Sequence, residues 1–263
     1  MPKSLFFSKY QGAGNDFVMI DDMTKSLTLS QDNIRHLCDR RFGVGSDGLI
    51  IIRPSHIGDF KMHYYNSDGS EASFCGNGGR CVALFARHRG ISGEIVRFEA
   101  YDGLHEAIVS DTDENEASVK LSMNNVSITK VTPHVMMLDT GSPHYVIMSD
   151  NIDNIDVKVE GARIRYDKTI STHGVNVDFV QWDGTTLKIR TYERGVEDET
   201  LACGTGVTAA AIAIAAWYNV NNIAVEARGG LLSVEFQRQG LDFYDIRLLG
   251  PARRVFDGNY KIQ

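Results

Sequence analysis

The sequence predicts an α+β fold built from two similar halves. Three observations carry this. Short runs rich in β-branched and aromatic residues, bounded by Gly, Asn, Asp or Pro, far outnumber helical segments. Many of these runs follow one another directly, unlike the regular strand–helix alternation of a doubly wound sheet. One set of motifs also occurs twice, 127 or 128 residues apart.

In chain order, strands are expected at Leu5–Tyr10, Phe17–Ile20, Leu49–Arg53, Lys61–Tyr65, Ile95–Ala100, His105–Val109 and Ser118–Ser122. They continue at Val135–Leu138, Tyr145–Met148, Val177–Trp182, Leu187–Tyr192, Ile223–Ala227, Leu232–Phe236 and Asp245–Leu249. Helices are expected at about 31–41, 77–89 and 207–219, with a weaker one near 153–164. Ser30 suits the N-cap of the first, and Gly90 the end of the second.

The duplicated set begins at Tyr65-Asn66-Ser67-Asp68-Gly69 and continues through Cys75-Gly76-Asn77-Gly78, a helix and Glu99-Ala100-Tyr101-Asp102-Gly103-Leu104. Its second copy is Tyr192-Glu193-Arg194-Gly195, Cys203-Gly204-Thr205-Gly206, a helix and Glu226-Ala227-Arg228-Gly229-Gly230-Leu231. The units are too long for a solenoid, whose periods are about 20–50 residues. Asn15-Asp16-Phe17-Val18 echoes Asn176-Val177-Asp178-Phe179-Val180 at a different offset, a weaker match.

Composition narrows the function classes. The chain has 263 residues, 43% hydrophobic and 23% charged, which suits a folded core rather than disorder. With 27 Lys+Arg against 34 Asp+Glu its formal net charge is −7, and the absence of a basic stripe argues against a nucleic-acid partner. The longest apolar stretch, Val207–Tyr218, suits a buried helix and is too short for a membrane span. The N-terminus reads as having no signal peptide, so a cytoplasmic location is expected.

Four cysteines are too sparse for a disulfide scaffold. Cys75-x5-Cys81 lacks zinc spacing and has no histidine nearby, so no metal is expected. Cys38, at helical spacing from Ile34, reads as a small buried hydrophobe. Cys75 and Cys203 differ, because each opens a C-G-x-G tetrapeptide that runs into a helix. A sulfur at a helix N-terminus meets unsatisfied N–H groups and the positive end of the dipole, which favour the thiolate.

Other motifs read as structure. Gly43-Val44-Gly45-Ser46-Asp47-Gly48 matches G-x-G-x-x-G, but it follows a helix and precedes a strand, the reverse of a dinucleotide site. It reads as a turn, as does Gly12-Ala13-Gly14-Asn15 between two strands. Arg40-Arg41 and Arg253-Arg254 read as solvated or salt-bridged pairs.

If the halves pack about a pseudo-twofold axis, the two thiols flank one ligand. A pair of acid/base groups on opposite faces of one carbon removes a proton from one side and returns one to the other, inverting a stereocentre. Such a carbon acid lies α to a carboxylate, and the amides after each cysteine are placed to hold that carboxylate and the developing charge. One cysteine must start as thiolate and the other as thiol, so the two titrate as a coupled pair. Arg194 suits a bidentate grip on a carboxylate, with Glu193 beside it for an ammonium; alone, the pair also reads as exposed charge in a turn.

Taken together, Gly14-Asn15-Asp16-Phe17, Asn66-x-Asp68-Gly69-Ser70-Glu71, Cys75-Gly76-Asn77-Gly78-x-Arg80-Cys81, Gly141-x-Pro143-His144, Asn176, Tyr192-Glu193-Arg194-Gly195 and Ala202-Cys203-Gly204-Thr205-Gly206 resemble the diaminopimelate epimerase family, in order over nearly the whole chain. The resemblance implies a cofactor-independent enzyme interconverting LL- and meso-diaminopimelate in lysine and peptidoglycan precursor synthesis, usually a homodimer. It implies two pseudo-symmetric domains, each a mixed sheet curled around a central helix: 1–122 joined by a last strand at about 252–263, and 123–251. By motif, Cys75 and Cys203 become the acid/base pair, with His144 and Glu193 helping to set their protonation. Asn15, Asn66, Asn176, Glu193 and Arg194 would hold substrate, and the amides of Gly76, Asn77, Gly204 and Thr205 the carboxylate at the reacting centre.

Three positions depart from the family pattern. Gly48 replaces a common Gln, Ser142 replaces an Asn found in some members, and Gly195–Thr200 is one residue longer than usual. Four other readings stay open on residues alone. A proline or hydroxyproline racemase would share the two thiols but tends to carry His where this chain has Asn77. A thiol redox protein would need the sulfurs of Cys75 and Cys203 within bonding reach, an amino-acid-binding module would exchange no α-proton, and a pyridoxal enzyme would need a lysine that the glycine-rich motifs lack.

Overall fold

The computed structural model describes residues 4–72 and 74–262. Contacts divide the chain into two units, one running to Leu121 and resuming at Pro251, the other spanning Ser122–Gly250.

The first unit opens with β1 (Ser4–Gly12) and β2 (Asn15–Asp21), an antiparallel hairpin closed by Ala13 and Gly14. Both turn residues have positive φ, 52° and 82°, as a two-residue turn that follows the strand twist requires. Helix α1 (Gln31–Cys38) crosses to β3 (Gly48–Arg53), which lies parallel to β2, and β4 (Phe60–Asn66) returns antiparallel. Helix α2 (Gly76–His88) crosses to β5 (Ile95–Ala100), parallel to β4, and β6 (Gly103–Asp111) and β7 (Glu116–Ser122) follow antiparallel.

The second unit adds a short β8 (Val126–Ser127) and then repeats this order. β9 (Val135–Asp139) and β10 (Pro143–Met148) are antiparallel, and α3 (Val157–Arg165) crosses to β11 (Asn176–Trp182), parallel to β10. β12 (Thr186–Glu193) returns antiparallel with a short β13 (Asp198–Thr200) beside it, and α4 (Gly204–Tyr218) crosses to β14 (Ile223–Ala227), parallel to β12. β15 (Gly230–Gln239) and β16 (Asp242–Lys261) close the series antiparallel. Past Pro251, β16 pairs with β1 of the first unit from Arg253 onward. The fold is α+β, and the order of parallel and antiparallel pairings is the same in both units.

Parallel neighbours need crossovers, and each unit has two helices to supply them. Every residue of α2 from Gly76 to Ala86 and of α4 from Gly204 to Ala215 is buried, so these are central helices without a solvent face. α1 buries Ile34, Leu37 and Cys38, and α3 buries Val157, Gly161 and Ile164, each on the other face of its sheet. Strands covered on both faces read as continuous apolar runs, as Leu49–Ile52 does.

Element ends differ from expectation for local reasons. α1 stops at Cys38 rather than 41 because Asp39 turns extended and its carboxylate accepts from the Arg41 and Phe42 amides, both at 2.7 Å. Ser30 caps α1 with a reciprocal bond to Asn33. α4 begins three residues before the expected 207, and the weaker helix sits at Val157–Arg165, capped by Asp156. β8 and β13 are too short to leave a periodic signal, and the strand expected to end at Leu249 continues to Lys261. The weak echo of Asn15 in Asn176 is overturned: Asn15 opens β2, the counterpart of β10, whereas Asn176 opens β11, the counterpart of β3. Residues 43–47 form turns leading into β3, so the G-x-G-x-x-G match carries no helix.

Candidate active site

Both C-G-x-G motifs place their cysteine at a helix N-cap. Cys75 caps α2 with φ −119° and ψ 115°, and Cys203 caps α4 with φ −114° and ψ 114°. Each cysteine carbonyl takes the first intrahelical bond, from Gly79 N at 2.7 Å and Val207 N at 2.8 Å. The Gly78 amide also donates to Cys75 Sγ at 3.4 Å. Each sulfur therefore sits where first-turn amides and the positive helix end converge.

In the first unit Asn15 links the surroundings of Cys75. Its Oδ1 lies 3.7 Å from Cys75 Sγ and accepts from Asn77 Nδ2 at 3.3 Å, while its Nδ2 donates to Asp47 Oδ2 at 2.7 Å. Arg40 bridges Asp16 and Asp47 and so steadies this loop. Asn66 ends β4 with Nδ2 3.3 Å from Ser70 Oγ. Arg80 is fully buried: it donates to Asn77 Oδ1 at 2.9 Å and to two carbonyls, and no carboxylate pairs with it among the described residues. Burial pulls its guanidinium down and pushes the neighbouring Cys81 thiol up to about 12. Gly48 has a local reason, since a Cβ there would lie 2.6 Å from both Tyr64 Cε2 and the Tyr65 carbonyl.

In the second unit Cys203 is buried, with Sγ 3.3 Å from Thr205 Oγ1. Thr205 Oγ1 lies 2.9 Å from His144 Nε2, and His144 Nδ1 lies 2.7 Å from Asp178 Oδ2. Thr191 donates to Asp178 Oδ1 at 2.7 Å. Gly206 makes this approach possible, because a Cβ there would lie 2.6 Å from Asp178 Oδ1. Asn176 Nδ2 donates to Ser142 Oγ at 2.8 Å, and its Oδ1 accepts from the Arg194 amide at 2.8 Å. The Arg194 guanidinium has only 3.5 Å contacts, to Gly174 O and Ser142 Oγ, and no carboxylate partner among the described residues.

Burial pushes the Cys203 thiol well above its ordinary value, and the Glu193 and Asp178 carboxylates push the same way. The helix N-terminus favours the thiolate at this sulfur, while burial and the two carboxylates work against it.

The structure gathers Asn15, Gly76 and Asn77 about Cys75, and His144, Asn176, Arg194, Gly204 and Thr205 about the opening of α4, with Asn66 and Glu193 ending the corresponding strands β4 and β12. Asp178 and Thr191 are absent from the sequence-derived set. Their one signal is a charged residue inside the apolar run Val177–Val180. Among the described residues no cluster of three or more His, Cys, Asp or Glu could hold a metal, and no helix is long and apolar enough to cross a membrane.

The sequence profile of the family described as diaminopimelate epimerase matches residues 7–129 and 136–255. A diaminopimelate epimerase of Flavobacterium psychrophilum is 48% identical over 253 residues, 95% of this chain and 97% of that protein. One from Chlorobaculum tepidum is 41% identical over 258 residues, 94% of this chain and 98% of that protein. Among solved structures, a hydroxyproline epimerase from Agrobacterium vitis superposes with a TM-score of 0.74 at 14% identity, covering 100% of this chain and 94% of that one. A PhzF-family phenazine biosynthesis protein from Bacillus anthracis gives 0.74 at 15% identity, covering 99% of this chain and 100% of that one. At such identities these two likenesses concern the fold alone.

Proposed function

The chain belongs to the diaminopimelate epimerase family, an isomerase by that membership, and we propose that it interconverts LL- and meso-diaminopimelate without a cofactor, using Cys75 and Cys203 as a two-base pair. The observation that carries this reading is the matched N-cap geometry of the two cysteines at a duplicated motif.

The chemistry follows from the groups at hand. The α-proton of an amino acid is far less acidic than a thiol of pKa about 8.5, so proton removal needs a stabilised carbanion-like transition state. The first-turn amides of Gly76, Asn77, Gly204 and Thr205 hold the carboxylate of the reacting centre and take up the developing charge. One thiolate takes the α-proton while the opposite thiol delivers another, and the roles exchange with direction. Arg194, lacking a carboxylate of its own, grips the distal carboxylate of the substrate. Asn15, Asn66, Asn176 and Glu193 complete the polar set, and His144 with Glu193 tunes protonation. The same membership supports a cytoplasmic homodimer in lysine biosynthesis as the working form.

Turnover in heavy water tests this. Diaminopimelate should gain deuterium at one α-carbon as it inverts, and Cys75→Ala or Cys203→Ala should abolish inversion. Inversion surviving in either variant, or turnover of proline in place of diaminopimelate, overturns the reading.

A further inference from the structure

Arg194 stands in a turn that one later residue closes on both flanks. β12 ends at Glu193, and the chain returns as β13 from Asp198. Between them the Glu197 amide donates to the Glu193 carbonyl at 2.8 Å, and the Gly195 amide donates to Glu197 Oε1 at 3.0 Å. Glu197 makes both bonds at φ 59°, a left-handed conformation that residues with a Cβ rarely take. The duplication supplies a comparison. In the first unit the corresponding turn, Asn66-Ser67-Asp68-Gly69, uses a glycine at φ 83°, whose amide donates to the Asn66 carbonyl at 2.9 Å. That turn carries no arginine. A glycine would fit the backbone of Glu197 more easily, so what the strained position retains is the side chain.

That side chain is anchored to α3. Glu197 Oε1 also accepts from Arg165 Nη2 at 3.2 Å, and Oε2 accepts from the hydroxyls of Tyr166 at 2.9 Å and Tyr192 at 3.3 Å. Burial works against its charge, but the Gly195 amide, the Tyr166 hydroxyl and the Arg165 guanidinium hold its carboxyl below the usual carboxylate range. Gly161 lets Tyr192 lie directly against α3, since a Cβ there would meet Tyr192 Cβ at 2.4 Å. Arg165 is the last residue of α3, and its other arm, Nη1, donates to the His173 carbonyl at 3.3 Å. The next residue, Gly174, offers its carbonyl to the Arg194 guanidinium at 3.5 Å. Gly174 has φ 72°, and a Cβ on it would lie 1.5 Å from Arg165 Nη1, so the space beside it belongs to the Arg165 guanidinium.

We propose that Arg165 is a positioning residue for Arg194. One arm of its guanidinium holds, through Glu197, the turn that carries the Arg194 backbone. The other holds the segment whose carbonyl meets the Arg194 side chain. α3 thereby fixes the place at which a distal carboxylate is received, an inference that rests on the reading of Arg194 as the grip on that carboxylate. Arg165 acts through Arg194 and has no contact with the reacting atoms in this scheme. Its fork is the essential feature, because two segments must be held at once from one rigid plane. A lysine keeps the charge but presents a single ammonium, which serves Glu197 or the His173 carbonyl without bracing both. If Arg165 only neutralised Glu197, lysine would replace it.

Arg165→Lys and Glu197→Gly, each made in the whole protein, test the brace. Each should raise KM for diaminopimelate roughly fivefold while kcat changes by less than about twofold, the mark of lost substrate binding rather than lost chemistry. In an Arg194→Lys background, Arg165→Lys should raise KM by less than about a further twofold, because its effect passes through Arg194. Apart from turnover, hydrogen exchange of the Gly195 amide should quicken at least about tenfold in both variants. A parent KM in both variants overturns the brace, as does the same KM rise with and without Arg194. Unchanged Gly195 exchange overturns it whether or not diaminopimelate is turned over. If the parent protein does not turn over diaminopimelate, the proposed function falls and Gly195 exchange alone decides the brace. If Arg165→Lys does not fold, Glu197→Gly decides it.

Discussion

Cys75 and Cys203, 128 positions apart, enter their helices with the same backbone: φ −119° and ψ 115° for the first, φ −114° and ψ 114° for the second. At an N-cap a hydroxyl accepts an amide hydrogen better than a sulfur does. Cys75→Ser should therefore fold at least as stably as the parent, with its oxygen accepting from Gly78. A serine hydroxyl is far too weak an acid to exchange roles as a thiol does, so turnover should fall by at least about a hundredfold. Thermal melting beside a turnover assay checks both halves, and a serine variant that keeps parent activity contradicts the role given to the thiol.

The second glycine of each motif reports how closely each central helix seats on the side chains beneath it. A Cβ on Gly206 would lie 2.6 Å from Asp178 Oδ1 and 3.2 Å from His144 Cε1. A Cβ on Gly78 would meet Ile50 Cδ1 at 2.9 Å and Met62 Cε at 3.2 Å, the ends of flexible side chains. Gly206→Ala should destabilise by about 1–3 kcal/mol and depress turnover. Gly78→Ala should cost less of both, because its neighbours can swing aside. Urea melts of the two variants check this, and equal losses would show that the polar pair yields as easily as Ile50 does.

Much of the fold is legible because its signals are contiguous. Two apolar runs flanking Gly12-Ala13-Gly14-Asn15 place the first hairpin, and Ser30 announces α1 three residues before Asn33 completes its box. The cysteines are legible because C-G-x-G is a single stretch repeated. What is hidden depends on register. His144 and Asp178 lie 34 positions apart and meet only because β10 and β11 run parallel. No local pattern reports that pairing, and the likeness of Asn15 to Asn176 points to the wrong strand. The extent of β16 is hidden for a related reason, since its last residues are strand only through pairing with β1.

Arg194 tests the grip on the distal carboxylate. Its amide is fixed to Asn176 Oδ1 at 2.8 Å, whereas its guanidinium is held only by 3.5 Å contacts. The backbone is thus anchored and the planar fork left for a ligand. Lysine keeps the charge but offers no bidentate geometry. Arg194→Lys should raise KM for diaminopimelate by roughly tenfold while the fold stays intact. An unchanged KM would place the distal carboxylate elsewhere.

Asp16 links acid stability to the loop that carries Asn15. Burial works against its charge, but hydrogen bonds from Arg40 and Lys9 hold the carboxyl well below the usual carboxylate range. Lys9 Nζ lies 2.7 Å from Oδ2, and Arg40 reaches Oδ1 at 2.7 Å. A carboxyl with a folded value below its unfolded one binds protons less readily in the folded state. Its stabilisation is therefore fully present above the unfolded value of about 3.9 and is lost as pH falls toward the depressed folded value. Asp16→Asn removes that contribution and leaves the buried Lys9 ammonium without its carboxylate. The variant should unfold at lower urea than the parent at neutral pH, and the gap should begin to close below about pH 4. Because Asn15 precedes this residue and bonds to Asp47, which Arg40 also holds, turnover should fall alongside. A gap in urea midpoint that stays constant from neutral to strongly acid pH would show that the ion pairs of Asp16 contribute nothing to folding.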